Sequence, residues 1–189
     1  MSQPGSALPS ALPSTLSLAQ QRESLWADAH KRVYALLLAS KLPGLRERLA
    51  QGDVDDWDGL WTGELDADER VAAPVLVSLR RQSAFTDWLL LEAAAGFGGW
   101  GAIAQSQLPF LAMRTHGRAL CKAQLPNGQA IRVDWMDPEV LEALLPVAAP
   151  DQLAQVYAGF DALVTLSPDH WTRWSVSAGR LMRDTTGVA

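Results

Sequence analysis

Cysteine is almost absent: Cys121 stands alone in 189 residues. One thiol excludes an internal disulfide and any multi-cysteine metal site within a single chain, and it fits a reducing compartment. Histidine is nearly as sparse. His30, His116 and His170 are scattered, with no metal-ligand spacing such as H-x-x-x-H. Long apolar runs are missing as well. The richest stretch, Trp88 to Leu91 with Ala93 to Ala95, is interrupted by Glu92 and falls well short of the roughly 18 residues a membrane span needs. Residues 1–15 hold neither a positive n-region nor a continuous apolar h-region. The expectation is a cytoplasmic protein with no membrane among its partners. Basic charge is in deficit too, since 16 Lys and Arg face 21 Asp and Glu for a net charge of −5. The pairs Lys31-Arg32 and Arg80-Arg81 are isolated. A phosphate backbone needs a clustered basic face, so nucleic acid is not an expected partner.

What the chain does contain is apolar material. Hydrophobic residues make up 48% of it and eight residues are tryptophan, enough for a real core in one domain or in two lobes sharing a core. The first residues stand apart: Ser6-Ala7-Leu8-Pro9 repeats as Ser10-Ala11-Leu12-Pro13. Proline every fourth residue blocks a helix, so 1–15 is expected to be a disordered Pro/Ser/Ala leader. Leu18, Leu25 and Trp26 at helical spacing then predict a helix over 16–29.

Apolar runs at 33–38 and 74–79 predict strands buried on both faces. Pro43 marks a helix start, Ser83 can cap a helix ending at Gly96, and 100–104 and 108–115 predict a strand and a helix. Segments 120–125 and 129–135 flank Pro126-Asn127-Gly128 and predict a hairpin. Asp137 and Pro138 open a helix with Val140, Leu141, Leu144 and Leu145 as its buried stripe; 151–158 is a shorter helix. A second hairpin joins 163–166 to 171–176. The order predicts an α/β fold. It comprises a mixed β-sheet lobe with flanking helices over about 30–136 and a smaller, mainly helical lobe over about 137–182. Both belong to one domain over 16–182, followed by a flexible tail at 183–189.

Motifs for chemistry are weak. Gly96-Phe97-Gly98-Gly99-Trp100-Gly101 satisfies G-x-G-x-x-G, but it follows a predicted helix and precedes a predicted strand, the reverse of a dinucleotide site. It reads as a helix stop and a turn. Asp53, Asp55, Asp56, Asp58 and Glu64 approach a calcium-loop spacing, yet Asp58 stands where the turn glycine belongs and Trp57 where an oxygen ligand belongs. That reads as a solvated acidic turn, with Trp57 and Trp61 covering the core edge. There is no nucleophile elbow and no P-loop. The expectation is no enzyme, no metal and no cofactor, with Cys121 a small buried thiol.

One set of short segments stands in a fixed order: Tyr34-Ala35-Leu36-Leu37, then Pro74-Val75-Leu76-Val77-Ser78-Leu79, Gly99-Trp100-Gly101 with Ser106, and Leu125-Pro126-Asn127-Gly128. Asp137-Pro138 with Val140-Leu141 and Leu144-Leu145-Pro146 completes the set. In this order, over about 33–174, the chain resembles the effector adaptors of the bacterial type VI secretion system (the Tap or Tec adaptors). The chain departs from the pattern at Leu38, where an acidic residue is usual, and at Val75, where tyrosine is favoured. Asp134 and Glu139 stand where relatives carry arginine, which marks a divergent member. The resemblance implies a cytoplasmic adaptor chaperone that binds a secreted effector and loads it onto the VgrG spike or its PAAR tip, without catalysis. Candidate partner-binding residues are Asp134, Glu139, Trp135, Trp171 and Trp174, the acids selecting a basic patch and the tryptophans supplying interface area. Two other readings stay open: an immunity or regulatory protein that binds a toxin, and a Cys121-dependent enzyme.

Overall fold

The computed structural model describes residues 15–189. The expected leader therefore lies outside the described residues, except for Thr15. In chain order the elements begin with β1 (Thr15–Leu16), α1 (Leu18–Ser24), β2 (Arg32–Leu37), α2 (Leu45–Ala50) and β3 (Trp57–Gly59). Next come α3 (Ala67–Ala72), β4 (Val75–Ser78), α4 (Ala84–Asp87), a π-helical stretch (Trp88–Ala93) and α5 (Ala94–Gly96). Then follow β5 (Gly101–Ser106), α6 (Phe110–Leu120), β6 (Lys122–Gln124), β7 (Ala130–Arg132) and α7 (Pro138–Leu144). The chain finishes with a 3-10 turn (Leu145–Val147), α8 (Pro150–Tyr157), β8 (Ala162–Leu166), β9 (His170–Ser177) and β10 (Arg180–Val188).

Eight strands form one sheet in the order β1-β10-β9-β8-β5-β2-β4-β3, with β6 and β7 a separate two-stranded hairpin. Every pairing in the large sheet is antiparallel except β1 with β10. The apolar run at 33–38 sits near its centre, and alternation sends Val33, Ala35 and Leu37 to one face and Tyr34, Leu36 and Leu38 to the other. Both faces are covered. On the first, Leu25, Leu45, Leu49, Phe85, Trp88 and Leu89 bring α1, α2 and the α4–α5 segment onto the sheet. On the second, Met113, Leu141, Leu145, Leu153 and Phe160 bring α6, α7 and α8 onto it. The result is a three-layer α/β/α arrangement, the α/β class expected from the order of elements.

Several boundaries differ from expectation for identifiable reasons. The hairpin expected within the 137–182 lobe joins the common sheet: β8 pairs with β5 at its centre, and β9 and β10 extend it. The tail at 183–189 is not flexible but the second half of β10, paired with β9 from Arg180 to Gly187. Its polar composition follows from its place at the sheet margin, where Met182, Arg183, Asp184 and Thr185 are exposed. The turn before it uses positive φ at Ala178 (49°) and Gly179 (73°), the geometry of a two-residue hairpin loop. The helix expected over 108–115 continues to Leu120, so Leu120 and Cys121 close a helix rather than open a strand. Gly117 lies inside it, where the Leu60 side chain comes within 3.1 Å of the place a Cβ would take and so favours a residue without one. Helix α1 ends at Ser24, short of Ala29, and α2 starts after Gly44 in the left-handed region (φ 75°) rather than at Pro43. Short α3 has no large apolar stripe and is held by a capping box between Asp66 and Glu69.

Candidate partner-binding surface

The helix opened by Asp137 is built as its sequence dictates. Pro138 occupies the first turn, and the Glu139 backbone N–H donates to the Asp137 carboxylate at 3.0 Å. Lys41 Nζ lies 2.8 Å from the same carboxyl group and ties this end of α7 to the turn after β2. Leu141 and Leu145, four residues apart, are buried against the sheet. Val140 and Leu144, one position earlier in each turn, point to the flank, and Leu144 is 51% exposed. The four-residue stripe is thus two stripes with different fates.

That second stripe lines a groove of about 250 Å³. One wall is Val140, Leu141 and Leu144 of α7 with Leu145; the facing wall is Leu120 at the end of α6 with Ala123 and Val133 of the hairpin region. Val156 of α8 and Trp135 complete it. The lining is aliphatic side chains and one indole, with almost no polar atom. Val147, in the turn that follows α7, is exposed as well. The rim carries both signs, with Lys122 and Arg132 beside Ala123 and Val133 on the hairpin side and Glu139 and Glu142 on α7. Between Arg132 and His170 the chain has no Lys, Arg or His, but it has Asp134, Asp137, Glu139, Glu142, Asp151, Asp161 and Asp169. Lys41 and Lys31 reach over to Asp137 and Asp161, and Arg183 approaches Glu142 at 3.7 Å. Glu139 and Asp151 are exposed and have no ion-pair partner among the described residues.

Of the five residues expected at a partner surface, three cluster here. Glu139 is exposed on the first turn of α7. Asp134 is half-buried, and burial raises its carboxyl above the ordinary carboxylate value, with the Trp61 indole pulling the other way. Trp135 is 6% exposed and packs on Phe160 at 5.4 Å, so it forms the groove's inner wall rather than a projecting anchor. Trp171 and Trp174 are not at a surface at all. They are 5% and 1% exposed, on opposite faces of the sheet, and Arg183 stacks over the Trp174 ring at 4.9 Å. Strand alternation leaves no solvent side for either because both faces of the sheet are covered. Leu120, Val140, Leu144 and Val156 were the residues sequence reasoning missed. The available signal was the excess width of the α7 stripe.

The reactive-looking residues elsewhere are committed to structure. In the acidic turn, Asp55 pairs with Arg80 at 2.5 Å, Asp58 with Arg114 at 2.7 Å and Arg118 at 3.1 Å, and Asp53 accepts the Phe85 N–H at 3.0 Å. Among the described residues no group of three His, Cys, Asp or Glu is placed to hold a metal ion. Cys121 is buried, and burial pushes its thiol up to about 12, the Trp135 indole offsetting this in part. His116 hydrogen-bonds the Val156 carbonyl at 2.8 Å and packs edge-on to Phe160; His170 lies beside Asp169 at 2.7 Å. Gly96 to Gly101 is the helix stop and turn expected of it, leading from α5 into β5. No helix among the described residues is long and apolar enough to cross a membrane.

No curated protein and no solved structure matches the chain. A family model does, over residues 33–155, which is well over half of the chain and holds β2, the hairpin, α7 and most of α8. The chain belongs to the family described as a domain of unknown function (DUF4123), one associated with effector adaptors of type VI secretion.

Proposed function

We propose that this protein is a non-catalytic adaptor chaperone: it binds a secreted effector in the cytoplasm and brings it to the VgrG spike or its PAAR tip. The observation that carries the reading is the open apolar groove on the α7–α8 layer, set in the span that the family model matches. Concave apolar surfaces left open at the rim of a layered fold are where partners or ligands seat. A role without chemistry is supported by how the polar side chains are used. The Cys121 thiol is buried and stays protonated at neutral pH, so it is a poor nucleophile, and in the acidic turn Asp55 and Asp58 are paired with arginines.

The test is purification of the tagged protein from its own host, followed by pairwise reconstitution with what it carries. An adaptor retains a toxic effector and, separately, a VgrG-type or PAAR protein, and leaves the toxin competent for delivery. A protein that retains the toxin alone and abolishes its activity is an immunity protein instead. Capture of neither contradicts the proposal.

A further inference from the structure

One margin of the large sheet is barely covered. β10 runs from Arg180 to Val188, yet among the described residues its outer neighbour β1 reaches only Gly187 and Val188. Backbone direction alternates along the strand. The Val188 N–H donates to the Asp169 carbonyl on the β9 side at 2.8 Å, and the Ala189 N–H donates outward to the Leu16 carbonyl at 3.1 Å. Odd-numbered residues of β10 therefore turn their backbone groups outward, and those of Leu181, Arg183 and Thr185 have no partner among the described residues. A row of that kind is a template for a further strand.

The chain's own N-terminal residues arrive beside this row already in register. β1 is parallel to β10, with Thr15 beside Gly187 and Leu16 beside Val188. Carried back one residue at a time, that register sets Ser14 beside Thr186, Leu12 beside Asp184 and Leu8 beside Arg180, where β10 begins. The repeat Ser6-Ala7-Leu8-Pro9-Ser10-Ala11-Leu12-Pro13 has a period of four, twice that of a strand, so each residue type keeps one phase. Leu16 turns its backbone toward β10, and Leu8, Ser10, Leu12 and Ser14 share its phase. Pro9 and Pro13 fall in the opposite phase, where the missing N–H would point away from the sheet and costs no ladder bond. Leu12 also shares the face of Leu16, and on that face a cleft of about 90 Å³ lies open between α1 and β10, bounded by Leu16, Gln21, Ser24, Asp184 and Thr186.

We infer that residues 8–14 continue β1 as a parallel edge strand along β10, a strap that closes this margin of the sheet. Leu12 covers the cleft beside α1, and Pro9 and Pro13 face outward, where they block addition of any further strand. A partner's strand or a second copy could satisfy the same backbone groups. Neither is tethered at Thr15 in the required register, and that tether gives the leader the advantage of an intramolecular contact.

Residue-resolved amide exchange of the full chain in solution tests this. The N–H groups of Leu181, Arg183 and Thr185 are expected to exchange about tenfold or more slowly than fully exposed amides, at any protein concentration. Two proline variants read the phase. Leu12→Pro removes an N–H that faces β10 and is expected to abolish the protection, whereas Ala11→Pro, in the outward phase, is expected to preserve it. Both positions precede the described fold, so β2 and β5 are expected to stay protected in each variant. Unprotected amides at Leu181, Arg183 and Thr185 in the wild-type chain overturn the inference, as does an equal response to the two prolines. Protection that appears only as concentration rises assigns the edge to a second copy. Protection that appears only with a co-purified partner assigns it to that partner's strand. Either result removes the leader from the edge.

Discussion

At the residue scale, burial and not chemical type decides what a side chain does here. Cys121 is the clearest case: its folded thiol lies at about 12 against an ordinary 9.0. Below 9.0 both folded and unfolded chains keep the proton, so the group gives no pH dependence; between 9.0 and about 12 only the unfolded chain ionises, and stability falls as pH rises. Native protein at neutral pH should therefore resist a thiol reagent until it unfolds. Cys121→Ala should flatten the alkaline limb of a pH-melting curve and leave partner binding intact; a fast native reaction or a lost partner contradicts this. Asp134 follows the same sign in another window. Burial raises its carboxyl, so above the ordinary 3.8 the folded state loses stability as the group is forced to ionise. Asp134→Asn is expected to raise the melting temperature at neutral pH and to leave it little changed in acid. Gly101 has the opposite character. Its φ of 142° and a would-be Cβ only 1.9 Å from the Leu36 carbonyl oxygen leave no room for a side chain between β5 and β2. Gly101→Ala should cost more than about 4 kcal/mol, read as loss of the cooperative melt.

At the element scale, strands buried on both faces were legible because they must be apolar throughout, as 33–38 and 75–77 are. The start of α7 was legible because Asp-Pro has a mechanism at a helix N-terminus. β10 was not, since an outer strand needs no apolar run, and Ala178-Gly179 is a weaker turn signal than Asn127-Gly128. The tryptophans misled for a related reason. Alternation along β9 tells that Trp171 and Trp174 point to opposite faces, but not that helices cover both. Removal of residues 183–189 tests the reassigned strand. It deletes the register from Arg183↔Trp174 to Gly187↔His170 and the pairing of β1 with Gly187 and Val188. The truncated protein should melt many degrees lower, by far more than the removal of an unstructured tail allows; an unchanged melt would return those residues to a tail.

At the scale of the whole molecule, the two faces of the sheet are unequal. On one, α1, α2 and the α4–α5 segment cover the core, with a more polar cleft of about 260 Å³ against Leu42, Leu45, Arg46 and Glu47, and charged residues there pair with one another, as Arg22 does with Asp87 at 2.7 Å. On the other, α7 and α8 leave an apolar groove open and carry acid without base. The proposed adaptor role places cargo on this second face, with the first serving as the rigid support. Hydrogen exchange of the protein alone and in complex with its co-purified effector tests that placement most directly. The account predicts that added protection concentrates in α7, α8 and the β6–β7 hairpin, and that Leu144→Asp removes it along with the complex. Protection confined to α1, α2 and the α4–α5 segment, with none at 120–157, would contradict it.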